Sequence, residues 1–212
     1  MTATVLLIAS GILAVIYLLC MTYAAPSALR SAVKTGSIAL LAVVAAPVPL
    51  LAVALGLCAL GDLALSRSGE RAFVAGIAAF ALGHLAYVVL FRSFDGDPAL
   101  TNGWQTSGAV GIVAASWGLA LALWSKLGPL RWPVLGYIAI ITAMGISALS
   151  VPAPFAGAVI AGALLFILSD SLIATERFLI RDGAAPRWIS PAIWSTYWLA
   201  QVLFCVGIVR PL

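Results

Sequence analysis

Charged residues are scarce in this chain. Asp, Glu, Lys and Arg make up 8% of its 212 residues and 64% of the residues are apolar, whereas a soluble domain carries about 25% charged residues. The mean hydropathy is +1.16. These values exclude a water-soluble globular domain with one core, a disordered chain and a nucleic-acid-binding domain. They predict an all-α integral membrane protein whose residues 1–212 form a single transmembrane domain.

Histidine and cysteine are also few. One histidine, His84, cannot supply the His-rich ligand set of a zinc hydrolase, so a metal site would need carboxylates as its main ligands. Three cysteines are an odd number for a disulfide framework, and we expect Cys20, Cys58 and Cys205 to be small, unreactive core residues. The sequence also lacks the Gly-x-Ser-x-Gly elbow, the Walker loop, the His-Glu-x-x-His pair and the Rossmann glycine fingerprint.

Long apolar runs, separated by Pro, Gly and charged residues, predict a bundle of eight transmembrane helices. The runs cover residues 3–23, 33–47, 49–66, 71–91, 106–125, 132–150, 153–175 and 190–210. The first run begins almost at Met1 with no basic segment before it, which favours a retained helix over a cleaved signal peptide.

Basic residues are distributed unevenly among the connections between these runs. Nine of the eleven lie in or beside the odd-numbered connections: Arg30, Lys34, Arg67, Arg71, Lys126, Arg131, Arg177, Arg181 and Arg187. The even-numbered connections and the tails hold only Arg92 and Arg210. Because basic loops remain in the cytoplasm, we expect both termini on the non-cytoplasmic side. The membrane in question is expected to be a bacterial inner membrane.

Two short segments recur in the chain. Leu60-Gly61-Asp62 corresponds to Leu168-Ser169-Asp170, and Leu85-Ala86-Tyr87-Val88 corresponds to Leu199-Ala200-Gln201-Val202. Each pair lies in helices four apart, which point the same way, as in a parallel four-plus-four pseudo-repeat. Helices rich in alanine and leucine also match by chance, so both explanations stay open.

Four ionisable residues fall inside the predicted helices. Each costs at least ~2.5 kcal/mol to insert and is therefore a candidate functional residue. Asp62 and Asp170 each lie about one turn before the cytoplasmic end of a helix, Lys34 enters the second helix from that surface, and His84 lies near the middle of the membrane.

Further polar side chains accompany them. Tyr87 follows His84 by three residues, Tyr197 and Gln201 are four residues apart, and Tyr137 lies about two turns into the sixth helix. Polar groups from six helices thus occupy the cytoplasmic half of the membrane. This distribution predicts a cavity that opens toward the cytoplasmic leaflet.

Structural explanations exist for each of these residues. The aspartates could reach headgroup water, Lys34 could extend its amine to the surface, and His84 and Gln201 could join helices by hydrogen bonds. The tyrosines could be interfacial residues. The pairs Gly76 and Gly83, and Gly157 and Gly162, are expected to allow close helix packing.

At these residues the chain resembles the YhhN-type lysoplasmalogenase family of eight-span membrane proteins. The resemblance extends from about residue 34 to 204 and rests on Leu60-Gly61-Asp62, Phe73-x2-Gly76-x3-Phe80-x2-Gly83-His84-Leu85-x-Tyr87-x3-Phe91, Gly162-Ala163-x2-Phe166-x2-Ser169-Asp170 and Tyr197-x-Leu199-Ala200-Gln201. The family often has Pro after the lysine of the second helix, where this chain has Lys34-Thr35.

The resemblance implies hydrolysis of the vinyl-ether bond of a lysoplasmalogen, which releases a fatty aldehyde and glycerophosphoethanolamine or glycerophosphocholine. This reaction needs a proton donor and a carboxylate that activates water, and no metal or organic cofactor. Asp62 and Asp170 would be the acid/base pair, in either order. His84 would orient a carboxyl group or the water. The expected substrate-binding residues are Lys34 at the phosphate, together with Tyr87, Tyr137, Ser169, Tyr197 and Gln201.

Two other classes of function remain open. A small proton-coupled transporter would use the same Asp and His groups as a relay, but it should have a polar path to both faces. A non-catalytic lipid-binding protein would tolerate Asp→Asn changes. In the hydrolase interpretation the partners are a lysophospholipid and the surrounding lipids, with no nucleic acid. The headgroup, the chain length and the oligomeric state are left open.

Overall fold

The computed structural model describes residues 3–94, 102–180 and 185–209. These residues form eight α-helices and no strand. The helices are α1 Ala3–Ile16, α2 Ala28–Val44, α3 Pro49–Leu65, α4 Glu70–Ser93, α5 Gly103–Leu123, α6 Arg131–Ala148, α7 Ala156–Ala174 and α8 Ile189–Val209. Two of them continue as π-helices, α1 over Tyr17–Met21 and α7 over Thr175–Leu179. The all-α prediction is confirmed, and each predicted run overlaps one helix.

Among the described residues, six stretches are long and apolar enough to cross a membrane. They are Ala3–Met21, Glu70–Ser93, Gly103–Leu123, Gly128–Ala148, Ala156–Leu179 and Ile189–Val209. The chain is therefore a multi-pass membrane protein. α3 is apolar but shorter, and α2 also has 17 residues.

α2 begins at Ala28 rather than near residue 33, because Ser27 caps it. The Ser27 hydroxyl accepts a hydrogen bond from the backbone N–H of Arg30 at 3.1 Å, which satisfies a free donor at the start of the helix. The side chain of Lys34 consequently projects from inside the helix rather than from its first residue.

Six helices form a ring. α2, α3, α4, α6, α7 and α8 each pack on the next, and α8 packs back on α2. α1 lies outside the ring on α2, where Trp194 of α8 donates a hydrogen bond to the carbonyl oxygen of Ala14 at 3.0 Å. α5 lies outside on α6. The interior of the ring is the main core of the protein and contains most of the predicted site residues.

The connections after α1, α3, α5 and α7 meet at one end of the bundle, here called the odd end. Tyr23 donates a hydrogen bond to the carbonyl oxygen of Arg187. Phe73 packs edge-on against Phe178 at 6.1 Å between ring centroids, and Leu127 belongs to the same apolar cluster. At the opposite end Phe94 stacks on Phe155. Of the predicted loop charges, Arg181 and Arg210 lie outside the described residues.

Close helix packing depends on three of the four predicted glycines. A Cβ atom at Gly76 would lie 2.6 Å from a leucine side chain of α3, and one at Gly83 would lie 3.2 Å from a backbone oxygen of α3. At Gly162 it would lie 2.8 Å from the ring of Phe204. The prediction for Gly157 is wrong, since nothing approaches that position within 4 Å.

The cysteines behave differently from one another. Cys58 and Cys205 are buried, as predicted for core residues, and both are free thiols. Cys20 is exposed on the π-helix that follows α1, so its assignment to the core is wrong. An apolar environment in the sequence does not distinguish the core of a bundle from the surface that contacts lipid.

Candidate active site

A polar cavity of about 260 Å³ lies inside the ring near the odd end. Its lining comes from five helices and both π-helices. The polar and aromatic lining residues are Tyr17, Thr22, Arg30, Lys34, Asp62, Phe73, Phe80, Ser169, Asp170, Glu176, Arg177, Ser190, Trp194 and Tyr197. Both predicted aspartates are in this set. The predicted cavity therefore exists, and it draws together residues far apart in the sequence.

Asp62 is held in a fixed position on α3. Its side chain is 1% exposed, and its Oδ1 atom lies 2.9 Å from the Lys34 ammonium of α2. Its Oδ2 atom accepts a hydrogen bond from the Tyr197 hydroxyl of α8 at 2.6 Å. A buried carboxylate needs such partners to offset the loss of water, and these partners favour its charged form.

Lys34 does not extend to the surface. Its ammonium lies 5.9 Å from the centroid of Tyr17 and 5.7 Å from that of Trp194, within reach of cation–π attraction. Trp194 in turn packs against Tyr17 with ring centroids 4.5 Å apart. Two aromatic rings thus lie near the ammonium in addition to Asp62. The π-helix that carries Tyr17 is a local feature often found at functional sites.

Asp170 has a different environment. It lies on α7, and its Oδ2 atom accepts a hydrogen bond from the Tyr137 hydroxyl of α6. No salt bridge joins Asp170 to another residue that the structure describes. Its side chain is partly exposed, and the surface it faces is the cavity.

An apolar pocket of about 60 Å³ adjoins the polar cavity. Its lining consists of Leu65, Phe73, Ile77, Phe80, Val134, Tyr137, Asp170, Ile173, Ala174 and Phe178. Leu65, Phe73, Phe80, Asp170 and Ile173 line both spaces. Asp170 therefore lies at the boundary between a polar and an apolar compartment, whereas Asp62 lines the polar cavity alone.

Three charged side chains line the cavity in addition to Lys34, Asp62 and Asp170. Arg30 donates hydrogen bonds to the carbonyl oxygen of Met21 and to the Tyr17 hydroxyl, both at 3.0 Å. The Arg177 guanidinium lies 3.7 Å from the centroid of the Phe73 ring. Glu176 accepts a hydrogen bond from the Ser190 hydroxyl at 3.0 Å.

Three predicted residues line neither the polar cavity nor the apolar pocket. His84 is fully buried one turn beyond Phe80, where its Nδ1 atom lies 2.6 Å from the Phe80 carbonyl oxygen. Its ring packs edge-on against Tyr137, with centroids 5.4 Å apart. Tyr87 and Gln201 are joined to each other, with the Tyr87 hydroxyl donating to Gln201 Oε1 at 2.5 Å. These residues form a polar layer beneath the cavity.

Ser169 and Tyr137 support the site from its edges. The Ser169 hydroxyl lines the cavity but donates a hydrogen bond to the carbonyl oxygen of Ile193 at 3.0 Å, which joins α7 to α8. Tyr137 lines the apolar pocket and reaches Asp170 from there. Of the predicted residues, Lys34, Asp62, Ser169, Asp170 and Tyr197 line the polar cavity directly.

Sequence reasoning missed several lining residues, among them Tyr17, Arg30, Glu176, Arg177 and Trp194. Helical spacing contained a signal for some of them. Arg30 precedes Lys34 by four residues and Arg177 follows Asp170 by seven, so each pair shares a helix face. No comparable signal exists for Tyr17 and Trp194, which resemble ordinary interfacial aromatic residues.

The arrangement provides two carboxyl groups in different settings beside an amphipathic space. Asp62 is paired with a cation, and Asp170 faces apolar side chains without one. Such a pair can divide proton donation from proton acceptance. In the part of the chain that the structure describes, no group of three or more His, Cys, Asp or Glu residues could hold a metal ion.

Comparison with known proteins identifies relatives. Residues 29–208 match the family model described as the YhhN family. Proteins named lysoplasmalogenase from Mycobacterium bovis and Mycobacterium tuberculosis are each 33% identical to the chain over 138 residues, which is 64% of this chain and 51% of each relative. The chain thus spans about half the length of these curated relatives. No solved structure matches it significantly.

Proposed function

Because the chain belongs to the YhhN family, we propose that it hydrolyses the vinyl-ether bond of a lysoplasmalogen. The products are a fatty aldehyde and glycerophosphoethanolamine or glycerophosphocholine. The observation that carries the proposal is that Asp62 and Asp170 line one cavity, with Asp170 where the cavity meets an apolar pocket. A lysoplasmalogen has the same division, because its vinyl ether joins a polar glycerophosphate to an apolar chain.

The reaction consumes one water molecule and needs two proton transfers to the substrate and two from it. A general acid protonates the β-carbon of the alkenyl chain, which moves the double-bond electrons and leaves an oxocarbenium ion. Water attacks the cationic carbon and gives its proton to a general base, forming a hemiacetal. The hemiacetal hydroxyl then loses its proton while the glycerol oxygen gains one, and the C–O bond breaks to release the aldehyde.

Asp170 is the general acid in this proposal. The carbon that accepts the proton belongs to the apolar chain, and Asp170 is the carboxyl group that borders the apolar pocket. An apolar lining without a paired cation suits a neutral carboxylic acid. Tyr137 donates to one oxygen of Asp170, which leaves the other oxygen to carry the transferable proton.

Asp62 is the general base. Its ion pair with Lys34 and its hydrogen bond from Tyr197 support a carboxylate. In that form it can accept the proton of the attacking water and stabilise the oxocarbenium ion by charge. In this proposal Lys34 acts mainly through Asp62, and not as the phosphate partner expected from its position in the sequence.

The layer beneath the cavity positions these groups. His84 packs on Tyr137, which holds Asp170. Tyr87 and Gln201 link α4 to α8 below Tyr197, which holds Asp62. Their role is to fix the two tyrosines, because a catalytic group must be held closely in its productive geometry.

All eight helices cross the membrane in this proposal, as a parallel pseudo-repeat of α1–α4 and α5–α8. The packing pattern supports it, since α1 on α2 matches α5 on α6, and α4 on α6 matches α8 on α2. Asp62 and Asp170 then occupy equivalent positions. Tyr87 and Gln201, equivalent in the recurring segments, are hydrogen-bonded to each other.

Aldehyde release by the purified chain tests the function. Wild type should convert a 1-alkenyl lysophospholipid to aldehyde after dialysis against chelator, and a 1-acyl lysophospholipid should give none. Asp62→Asn and Asp170→Asn should each lower turnover by roughly 10²-fold or more, because positioned proton transfer is worth about 10²–10⁴. The double variant should be little worse than the poorer single one.

The matched control is Glu70→Gln, which removes an exposed carboxylate at the start of α4, outside the cavity lining. It should keep wild-type turnover. If both aspartate variants stay monodisperse and retain most of their aldehyde release, the two-aspartate mechanism is wrong. Restoration of lost activity by zinc after dialysis would also contradict it.

A further inference from the structure

Two arginines of the cavity have unused hydrogen-bond donors. The guanidinium group of Arg30 has five N–H donors, and its two bonds go to Met21 and Tyr17. Arg177 lies on the Phe73 ring and forms no hydrogen bond with the described residues. Lys34, the third cation of the lining, is already paired with Asp62. The cavity therefore contains two arginine side chains suited to a further anion.

The positions of Arg30 and Arg177 relative to Asp170 determine where a bound anion of the substrate would lie. Arg177 follows Asp170 by seven residues, roughly 10 Å along the helix, and helical side chains lean back toward the N-terminus. Arg30 approaches from α2, which is separated from α7 in the ring by α8. An anion between the two arginines would lie on the polar side of Asp170, away from the apolar pocket.

A carboxylate lies beside this pair. Glu176 lines the same cavity, and one of its oxygens accepts the hydrogen bond from Ser190. The other carboxylate oxygen can accept N–H donors from a primary ammonium. A quaternary ammonium has no N–H group and is instead bound by open aromatic faces. Here the rings of Tyr17, Phe73 and Trp194 already have cationic side chains near them.

We propose that Arg30 and Arg177 bind the phosphodiester of a lysophospholipid and that Glu176 binds the ammonium of an ethanolamine headgroup. This inference rests on the proposed function and defines its specificity. The phosphate lies between the two guanidinium groups, the glycerol extends toward Asp170, and the alkenyl chain enters the apolar pocket. Arginine suits this role because its planar donors match phosphate oxygens in pairs.

Substrate selectivity provides the first test. Purified wild type, Arg30→Gln, Arg177→Gln and Glu176→Gln are compared on three substrates: alkenyl glycerophosphoethanolamine, alkenyl glycerophosphocholine and alkenyl glycerol without phosphate. Each arginine change should lower the kcat/KM ratio of phospholipid to alkenyl glycerol about 10-fold or more. Glu176→Gln should lower the preference for ethanolamine over choline. The ratio within one variant also corrects for misfolded protein.

The matched control is Arg67→Gln, which removes an exposed arginine after α3 outside the cavity lining. Its selectivity should equal that of wild type. Unchanged ratios in Arg30→Gln and Arg177→Gln would overturn the phosphate site. An unchanged headgroup preference in Glu176→Gln would overturn the ammonium site.

A binding experiment separates failure of this inference from failure of the proposed function. A saturated alkyl-ether lysophosphoethanolamine cannot be cleaved, so its Kd is measurable whether or not the chain is a hydrolase. The Kd should rise about 10-fold in each arginine variant. Inorganic phosphate alone should compete only weakly. If phosphate binds as tightly as the lipid, the arginines form a site for free phosphate, and the headgroup assignment is wrong.

Discussion

Each aspartate of the site is held by one tyrosine, and the two bonds can be removed without changing charge. Tyr137→Phe removes the donor to Asp170, and Tyr197→Phe removes the donor to Asp62. Each change should lower turnover about 2- to 10-fold, because one hydrogen bond is worth roughly 0.5–1.5 kcal/mol. Aldehyde release at saturating substrate measures this effect.

Tyr87→Phe is the comparison for these two variants. It removes a fully buried hydroxyl, but one bonded to Gln201 below the cavity. We expect it to lower thermal stability in detergent more than it lowers turnover, because it leaves the Gln201 oxygen buried without its partner. A loss of turnover larger than that of Tyr137→Phe would show that Tyr87 acts directly on the substrate, as the family resemblance implied.

The central residues of the candidate site could be identified from the sequence because a charged group is costly to insert into a membrane. Asp62, Asp170 and Lys34 are charged groups within apolar helices, and such groups need a compensating role. Arg30 and Arg177 lie near helix ends, where a charge costs little, so the same reasoning could not distinguish them from loop charges. Their place in the cavity depends on how α2 and α7 pack in the ring.

At the scale of helices, Gly162 allows the close contact of α7 with α8. Gly162→Ala would place its Cβ 2.8 Å from the Phe204 ring and 3.1 Å from the Ala200 carbonyl oxygen. Such overpacking costs about 1–3 kcal/mol. The melting temperature in detergent should fall, and Asp170 of the same helix should lose its alignment with α8.

Gly157→Ala is the control on the same helix. Nothing lies within 4 Å of that position, and alanine is a better helix former than glycine by about 1 kcal/mol. Its melting temperature should equal or exceed that of wild type. An equal loss in both variants would mean that α7 and α8 do not pack as the structure describes.

The positions of the helices could be predicted from the apolar runs of the sequence, whereas the order in which the helices pack could not. Apolar runs predicted all eight helices, because a backbone in hydrocarbon must satisfy its own hydrogen bonds. The early start of α2 depends on one serine cap, Ser27, which the apolar pattern does not include. The ring order, with α1 and α5 outside, depends on shape complementarity among similar apolar faces. Because those apolar faces have similar sequences, the sequence does not show which helices pack together.

For the whole molecule, charge and architecture make the same prediction about orientation. The odd end has most of the basic connections and the cavity, so it should face the cytoplasm. A reporter active only outside the cytoplasm should be active when fused after Leu212 and inactive when inserted at Gly69. Five helices separate the two sites, so they should lie on opposite sides. If the reporter inserted at Gly69 is active, the orientation of the protein is the reverse of the one predicted.

Whether α2 and α3 both cross the membrane needs a separate measurement, because each has 17 residues. That length is ~26 Å of helix against a hydrocarbon core of ~30 Å, so the pair could cross only where the bilayer thins locally. Ala46 is exposed in the turn between them. In a variant with all three native cysteines replaced by alanine, Ala46→Cys should react with a membrane-impermeant thiol reagent added from the non-cytoplasmic side. Reaction only after the membrane is permeabilised would contradict eight crossings and indicate a re-entrant pair.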